Sequence, residues 1–222
     1  MADFQGFTPA APQFLLDLHF HNDRQWFDEN REVFDRELRQ PCLALAEALL
    51  PAAREANPNF DPRPEKAVSR IYRDARYARG VPFKDYIMVN YRPAGKRTGE
   101  SLTVYFYLSF RDWSVGLGSY SELREMMDGF RNRLATRPAS FLSLLSRPEM
   151  AAFRTEGERF RRLSVPGDLP ETLLPWYTLR SFYYERSFPS DDPRLFDRDK
   201  LLSLLRESVS LLAPVYRYIA GL

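Results

Sequence analysis

The sequence predicts an α+β fold, a single domain with an antiparallel sheet flanked by N-terminal and C-terminal helices. Three observations carry this reading. Apolar residues recur at helical spacing over the first 57 residues and again near the C-terminus. Between these stretches, β-branched and aromatic residues crowd short segments joined by glycine-containing turns, with no helix between them, which is the pattern of antiparallel pairing. The 222 residues, 44% of them hydrophobic, suffice for one substantial core.

Residues 8–56 read as helical. Phe14, Leu15 and Leu18 follow i, i+3, i+4 spacing, and the pattern breaks near His21-Asn22-Asp23. Asn22 or Asp23 suits the N-cap of a second helix bearing Trp26, Phe27, Val33 and Phe34. Pro41 kinks that run or opens a third helix, Cys42 to Ala56. The Asn-Pro and Asp-Pro pairs of residues 57–64 mark a loop. Residues 67–118 read mainly as strands. These lie at 67–73, 86–92, 102–110 and 113–118, with a hairpin loop over 94–99 and a glycine turn ending the last. Residues 121–165 read as helical pieces punctuated by prolines, with Leu123, Met126, Met127, Phe130 and Leu134 on one stripe. A returning strand is expected over 177–186. A final helix follows over 199–219, capped by Asp197 or Asp199 and interrupted by Pro214.

Composition excludes several classes. No apolar run approaches the ~20 residues that cross a bilayer, so no membrane association is expected. The N-terminus lacks the basic and apolar regions of a signal peptide, and the single cysteine, Cys42, cannot form an intramolecular disulfide. Together these predict a cytoplasmic protein. His19 and His21 are two residues apart in a helical context, where they do not share a face, and no acidic or cysteine partner stands at zinc spacing; no metal site is expected. Gly116-Leu-Gly118 lacks the Gly-Lys-Ser/Thr ending of a phosphate loop, and no nucleotide or cofactor motif replaces it; no cofactor is expected.

Charge is less even than the net +2 suggests. Of the 32 basic residues 28 are arginine, and residues 63–97 carry +7 while the remainder carries −5. Within that segment arginines stand at 70, 73, 76 and 79, interleaved with Tyr72, Asp74 and Tyr77 and followed by Phe83 and Lys84. A guanidinium is always charged and presents five fixed donors, so internal carboxylates satisfy the cluster or it meets an anion. In the first case Asp74, Asp85, Glu122, Glu125 or Glu185 are the candidate partners. In the second, Arg70, Arg73, Arg76, Tyr77 and Lys84 are the candidate ligand-binding residues, and they suit a phosphate or carboxylate. Asp74 is the one local candidate for a catalytic base, although arginine partners keep a carboxylate ionised and weakly basic.

The stretch Arg70-Ile-Tyr-Arg-Asp-Ala-Arg-Tyr77 resembles the Arg-x-x-Arg-Asp-x-Arg-Phe signature of a bacterial and fungal family of similar length, domain of unknown function 2461. Supporting matches are Phe14-Leu15, Asn22 with Trp26-Phe27, Pro82-Phe83-Lys84, Ser114 to Gly118, Trp176-Tyr177 and Ser181-Phe182-Tyr183, so the resemblance covers nearly the whole chain. Two departures stand out. Tyr77 replaces the usual Phe, and Gly80-Val81 occupies the place of an acid or amide followed by lysine, one residue short. The resemblance implies a fold and the place of a site, and it implies no activity.

The first functional reading is therefore recognition of a small anionic ligand by the arginine cluster, with or without a reaction. The second is a non-enzymatic protein-interaction module using exposed arginines and aromatics. The third is single-stranded nucleic-acid binding with Tyr72, Tyr77 and Phe83 as stacking platforms, which the near-neutral total charge disfavours.

Overall fold

The computed structural model describes residues 3–74, 76 and 80–222. Its five-stranded, wholly antiparallel sheet has the order β1-β2-β3-β5-β4. The strands are β1 (Tyr86–Tyr91), β2 (Thr103–Ser109), β3 (Asp112–Ser119), β4 (Arg154–Arg159) and β5 (Leu179–Pro189). Side chains alternate across a strand, so the register sorts them into two faces. Ile87, Val89, Val104, Phe106, Leu108, Trp113, Val115, Leu117, Phe182 and Tyr184 share one face and are all buried.

Helices cover that face. α1 (Ala10–Phe20) lies over β2, and Phe7, just before it, stacks on Phe106 with centroids 5.6 Å apart. α2 (Arg24–Glu29) begins at Asp23, whose side chain accepts from the Trp26 N–H at 2.9 Å. A single helical path then runs through α3 (Arg31–Phe34), a π-helical turn (Asp35–Arg39) and α4 (Gln40–Ala56). Pro41 thus stands in the first turn of α4, as expected of a proline that opens a helix, although the backbone before it stays helical. The wider π turn immediately before it relieves the clash that a proline ring makes with the carbonyl four residues back. α5 (Pro64–Ala67) is a single turn beside β1.

α9 (Arg198–Ala220) packs beside α4 and over β3, with the Asp197 side chain accepting from the Lys200 N–H at 3.1 Å. It runs through Pro214 without interruption, because Leu211, Leu212, Ala213, Val215 and Tyr216 around the proline are all buried and tertiary packing outweighs the lost backbone bond. α6 (Arg124–Thr136) and α7 (Pro138–Leu145) pack against α9, and α8 (Leu174–Tyr177) leads into β5. Arg131, buried on α6, ties it to that junction by donating to the carbonyls of Tyr177 at 3.0 Å and Leu179 at 2.6 Å.

Three expectations need correction. The segment 121–165 is not helical throughout, since β4 lies within it. Arg154-Thr-Glu-Gly-Glu-Arg159 is an exposed edge strand, so no apolar alternation announces it, and its charges are the usual protection of a free sheet edge. Residues 67–73 form isolated bridges at Val68 and Tyr72, not a continuous strand. Gly116 and Gly118 lie inside β3 and not in a turn. A Cβ on Gly116 would meet the Glu185 Cβ at 2.6 Å and the Tyr105 hydroxyl at 2.9 Å, so neighbouring side chains lie directly on the backbone there.

Candidate functional site

The arginine segment folds back on itself at the edge of β1. Val68 bridges Val89, and the Ser69 N–H donates to the Met88 carbonyl at 2.8 Å. Tyr72 then bridges Phe83, flanked by Arg73 N–H to Pro82 carbonyl and Lys84 N–H to Ile71 carbonyl, both 2.8 Å. Asn22 clasps this hairpin from the helical layer. Its Oδ1 accepts from the Phe83 N–H at 2.9 Å and its Nδ2 donates to the Phe83 carbonyl at 3.2 Å. The buried Phe83 ring stacks on Phe27 at 4.3 Å, and Tyr72 packs against both, 5.0 Å from Phe83 and 5.9 Å from Phe27.

The predicted site residues separate on this frame. Arg73 is tied into the hairpin: its Nε donates to the Phe83 carbonyl at 2.7 Å, and a terminal nitrogen lies 3.5 Å from Asp85, which also pairs with His19 Nδ1 at 2.8 Å. Arg76 forms a two-pronged pair with Asp74, at 3.0 and 2.6 Å, and that pair pulls the exposed Asp74 carboxyl down to about 2. Asp74 therefore orients Arg76, not Arg73, and a carboxylate so acidic accepts protons weakly. Arg70 is exposed and makes no side-chain hydrogen bond or ion pair with the described residues. Lys84 Nζ donates to the neutral Arg70 carbonyl at 2.8 Å and has no carboxylate within ion-pair distance among the described residues. Its pKa is lowered, first by burial and then by the neighbouring Arg73 and Arg70 charges. Tyr77 lies outside the described residues.

Lys84 also leads onto the second face of the sheet. Its Nζ sits 5.7 Å from the centre of the Tyr86 ring, and Tyr86 contacts Tyr107 at 5.3 Å. The cross-strand rows continue as Met88–Tyr107–Ser114–Ser187, then Asn90–Tyr105–Gly116–Glu185, then Thr103–Gly118–Tyr183. Tyrosines line this face where helices cover the other. At its centre Glu185 Oε2 accepts from the Tyr105 hydroxyl at 2.5 Å and the Ser114 hydroxyl at 2.7 Å. Burial raises the pKa of Tyr86, of Tyr107 and Tyr183 to about 12, and of Tyr105 well above the ordinary value, so all four stay neutral at physiological pH.

Sequence reading offered Glu185 only as a partner for the arginines and did not join it to Tyr105 and Ser114, because the three are far apart along the chain and meet only through the register. A signal was present: two glycines in the interior of a strand mark places where other side chains approach the backbone.

Two clefts elsewhere also hold cations. One, about 550 Å³, is lined by Arg186, Arg194, Lys200 and Glu207, and the second, about 430 Å³, by Arg133, Arg137, Arg217 and Tyr218. In the first, Arg194 pairs with Asp192 at 2.6 Å and Lys200 with Asp197 at 2.9 Å. In the second, Arg133 donates to the Tyr218 and Ile219 carbonyls at the end of α9. The first cleft's cations are thus ion-paired, whereas Arg133 in the second is met by backbone carbonyls at a helix C-terminus, where the peptide dipole favours a cation.

Comparison with protein families matches residues 10–218 to the family described as Conserved hypothetical protein (DUF2461). The chain belongs to the DUF2461 family. A search of curated proteins gives no match. In this DUF2461 protein the residues that carry the resemblance do two kinds of work. Asn22, Phe27, Arg73 and Phe83 build the hairpin, whereas Arg70 and Lys84 stand at its surface with charge to spare. Among the described residues no helix is long and apolar enough to cross a membrane.

Proposed function

We propose that this protein recognises a small ligand bearing a phosphate or carboxylate, held at the basic rim where Arg70 and Lys84 border the tyrosine-lined face. One observation carries the reading: Lys84 is a half-buried ammonium whose hydrogen bond goes to a neutral carbonyl, beside two guanidiniums. Burying a charge without a counter-ion is costly, and an arriving anion relieves both the burial and the mutual repulsion. Arg70 supplies the planar, two-pronged donor set that matches carboxylate and phosphate oxygens. Asp74, committed to Arg76, favours binding over proton abstraction at this rim.

Thermal melts in phosphate and in citrate test this. A ligand that binds only the folded state raises stability by about 2.7 kcal/mol at a hundredfold excess over Kd. Wild type should gain from these anions, and Arg70→Ala and Lys84→Gln should lose the gain. Lys200→Gln should keep it, because Lys200 is paired with Asp197. A wild type indifferent to both anions contradicts the proposal, and a gain lost only in Lys200→Gln moves the site to the cleft beside α9. A single-stranded oligonucleotide that binds far more tightly than phosphate and is released by salt would replace it with the nucleic-acid reading.

A further inference from the structure

The tyrosine-lined face holds a charge opposite to that of its rim. Glu185 is half-buried, and among the described residues no lysine, arginine or histidine lies within ion-pair distance of it. Its cross-strand neighbour is Arg154, but that guanidinium turns away and donates to the carbonyls of Ala151 and Phe153. Glu185 is instead held by neutral donors, and unevenly. Oε2 takes both short bonds, from Tyr105 and Ser114, while Oε1 takes only a long one, 3.4 Å, from Ser187.

Two tyrosines border this carboxylate. Tyr105 and Tyr183 meet at 5.6 Å with their planes 88° apart, so a buried floor and a half-exposed wall form a right-angled corner. Gly116 and Gly118 keep the strand beneath free of side chains. The Tyr183 hydroxyl lies close enough to Tyr86, Tyr120 and Glu185 for each to disfavour its ionisation. A carboxylate with an underused oxygen beside the partly exposed Tyr183 ring suits a positively charged group with polarised hydrogens, while the buried Tyr105 holds the carboxylate in place. Such a group gains both from the carboxylate and from the negative ring face. A hydroxyl-bearing neutral ligand would gain less, because two hydroxyls already serve Oε2.

We infer that Glu185, with Tyr105 and Tyr183, forms a binding site for an organic ammonium group. The site is separate from the anion rim and stands whether or not that rim binds a ligand. Choline is a suitable probe, with a neutral alcohol of the same shape, carbon replacing nitrogen, as its control. Titration followed by nuclear magnetic resonance of the protein should show saturable binding of choline, with shifts centred on Tyr183 and Glu185, and none for the neutral alcohol. Glu185→Gln keeps the shape and the hydrogen-bond acceptor while removing the charge. It should weaken choline binding roughly tenfold or more, the scale of a partly desolvated cation–π and charge contact. Tyr183→Leu alters only a half-exposed ring, so it guards against misfolding of the first variant, and it should also weaken binding. Arg70→Ala should leave choline binding unchanged. Absence of saturable binding, equal binding of the neutral alcohol, or full affinity in both Glu185→Gln and Tyr183→Leu would overturn the inference.

Discussion

The two faces of the sheet are built from the same strands and solve burial in opposite ways. On the covered face, Phe106, Trp113, Val115 and Leu117 meet α1 and α9 and lose nearly all contact with water. On the other, Thr103, Tyr105 and Ser114 are buried, Tyr105 and Tyr183 reach the backbone at Gly116 and Gly118, and Glu185 is left only partly buried among them. The difference teaches where stability and chemistry reside. Apolar contacts on the covered face are numerous and interchangeable, while on the open face each polar group has a particular partner. Glu185 and Lys84, neither of which has a counter-ion among the described residues, lie toward the open side of β5 and β1.

The contrast can be broken by substitution, starting where the effect should be greatest. Phe106→Ala removes a fully buried ring stacked on Phe7 and adjoining Trp113, and should cost about 3–5 kcal/mol in equilibrium denaturation. A loss below about 1 kcal/mol would mean that the covered face is not the stabilising one. Gly116→Ala tests the open face at its floor. The new Cβ would lie 2.6 Å from the Glu185 Cβ and 2.7 Å from the Tyr184 carbonyl, an overpacking worth about 1–3 kcal/mol. A neutral outcome would show that the rings rest on the strand loosely. Tyr105→Phe deletes one donor to the Glu185 carboxylate and leaves Ser114 in place, so about 1.5–3 kcal/mol is expected from the same denaturation curves. A cost as large as that of Phe106→Ala would erase the distinction between the faces.

The fold was legible wherever periodicity and burial agree. β2 announces itself as Thr-Val-Tyr-Phe-Tyr-Leu-Ser, and the caps Asp23 and Asp197 stand where a side-chain acceptor is needed. β4 was illegible because an exposed, charged edge strand has no apolar face to show. Pro214 misled because local backbone preference cannot report the burial of α9. At the site, the charge pattern located the hairpin but not its internal pairing. Asp74 is next to Arg73 in sequence yet holds Arg76, whereas Arg73 reaches across the hairpin to Phe83 and Asp85. That choice depends on hairpin geometry, which spacing alone does not contain. Glu185 was named only as one possible partner for the arginines, and the register instead gives it to Tyr105 and Ser114.

The central claim is that Lys84 is a charge awaiting an anion, and its own titration tests that most directly. In the folded protein its pKa lies below the ordinary lysine value of about 10.4 because of burial and the adjacent arginines. A folded pKa below the unfolded one means that keeping Lys84 charged costs stability at neutral pH, and that the cost fades as pH rises through the folded value. Nuclear magnetic resonance of the Lys84 ε-methylene group, followed against pH, gives the midpoint. The account predicts a depressed midpoint in phosphate-free buffer that moves upward in saturating phosphate, because a bound anion favours the charged form. A midpoint that is the same with and without phosphate would contradict it.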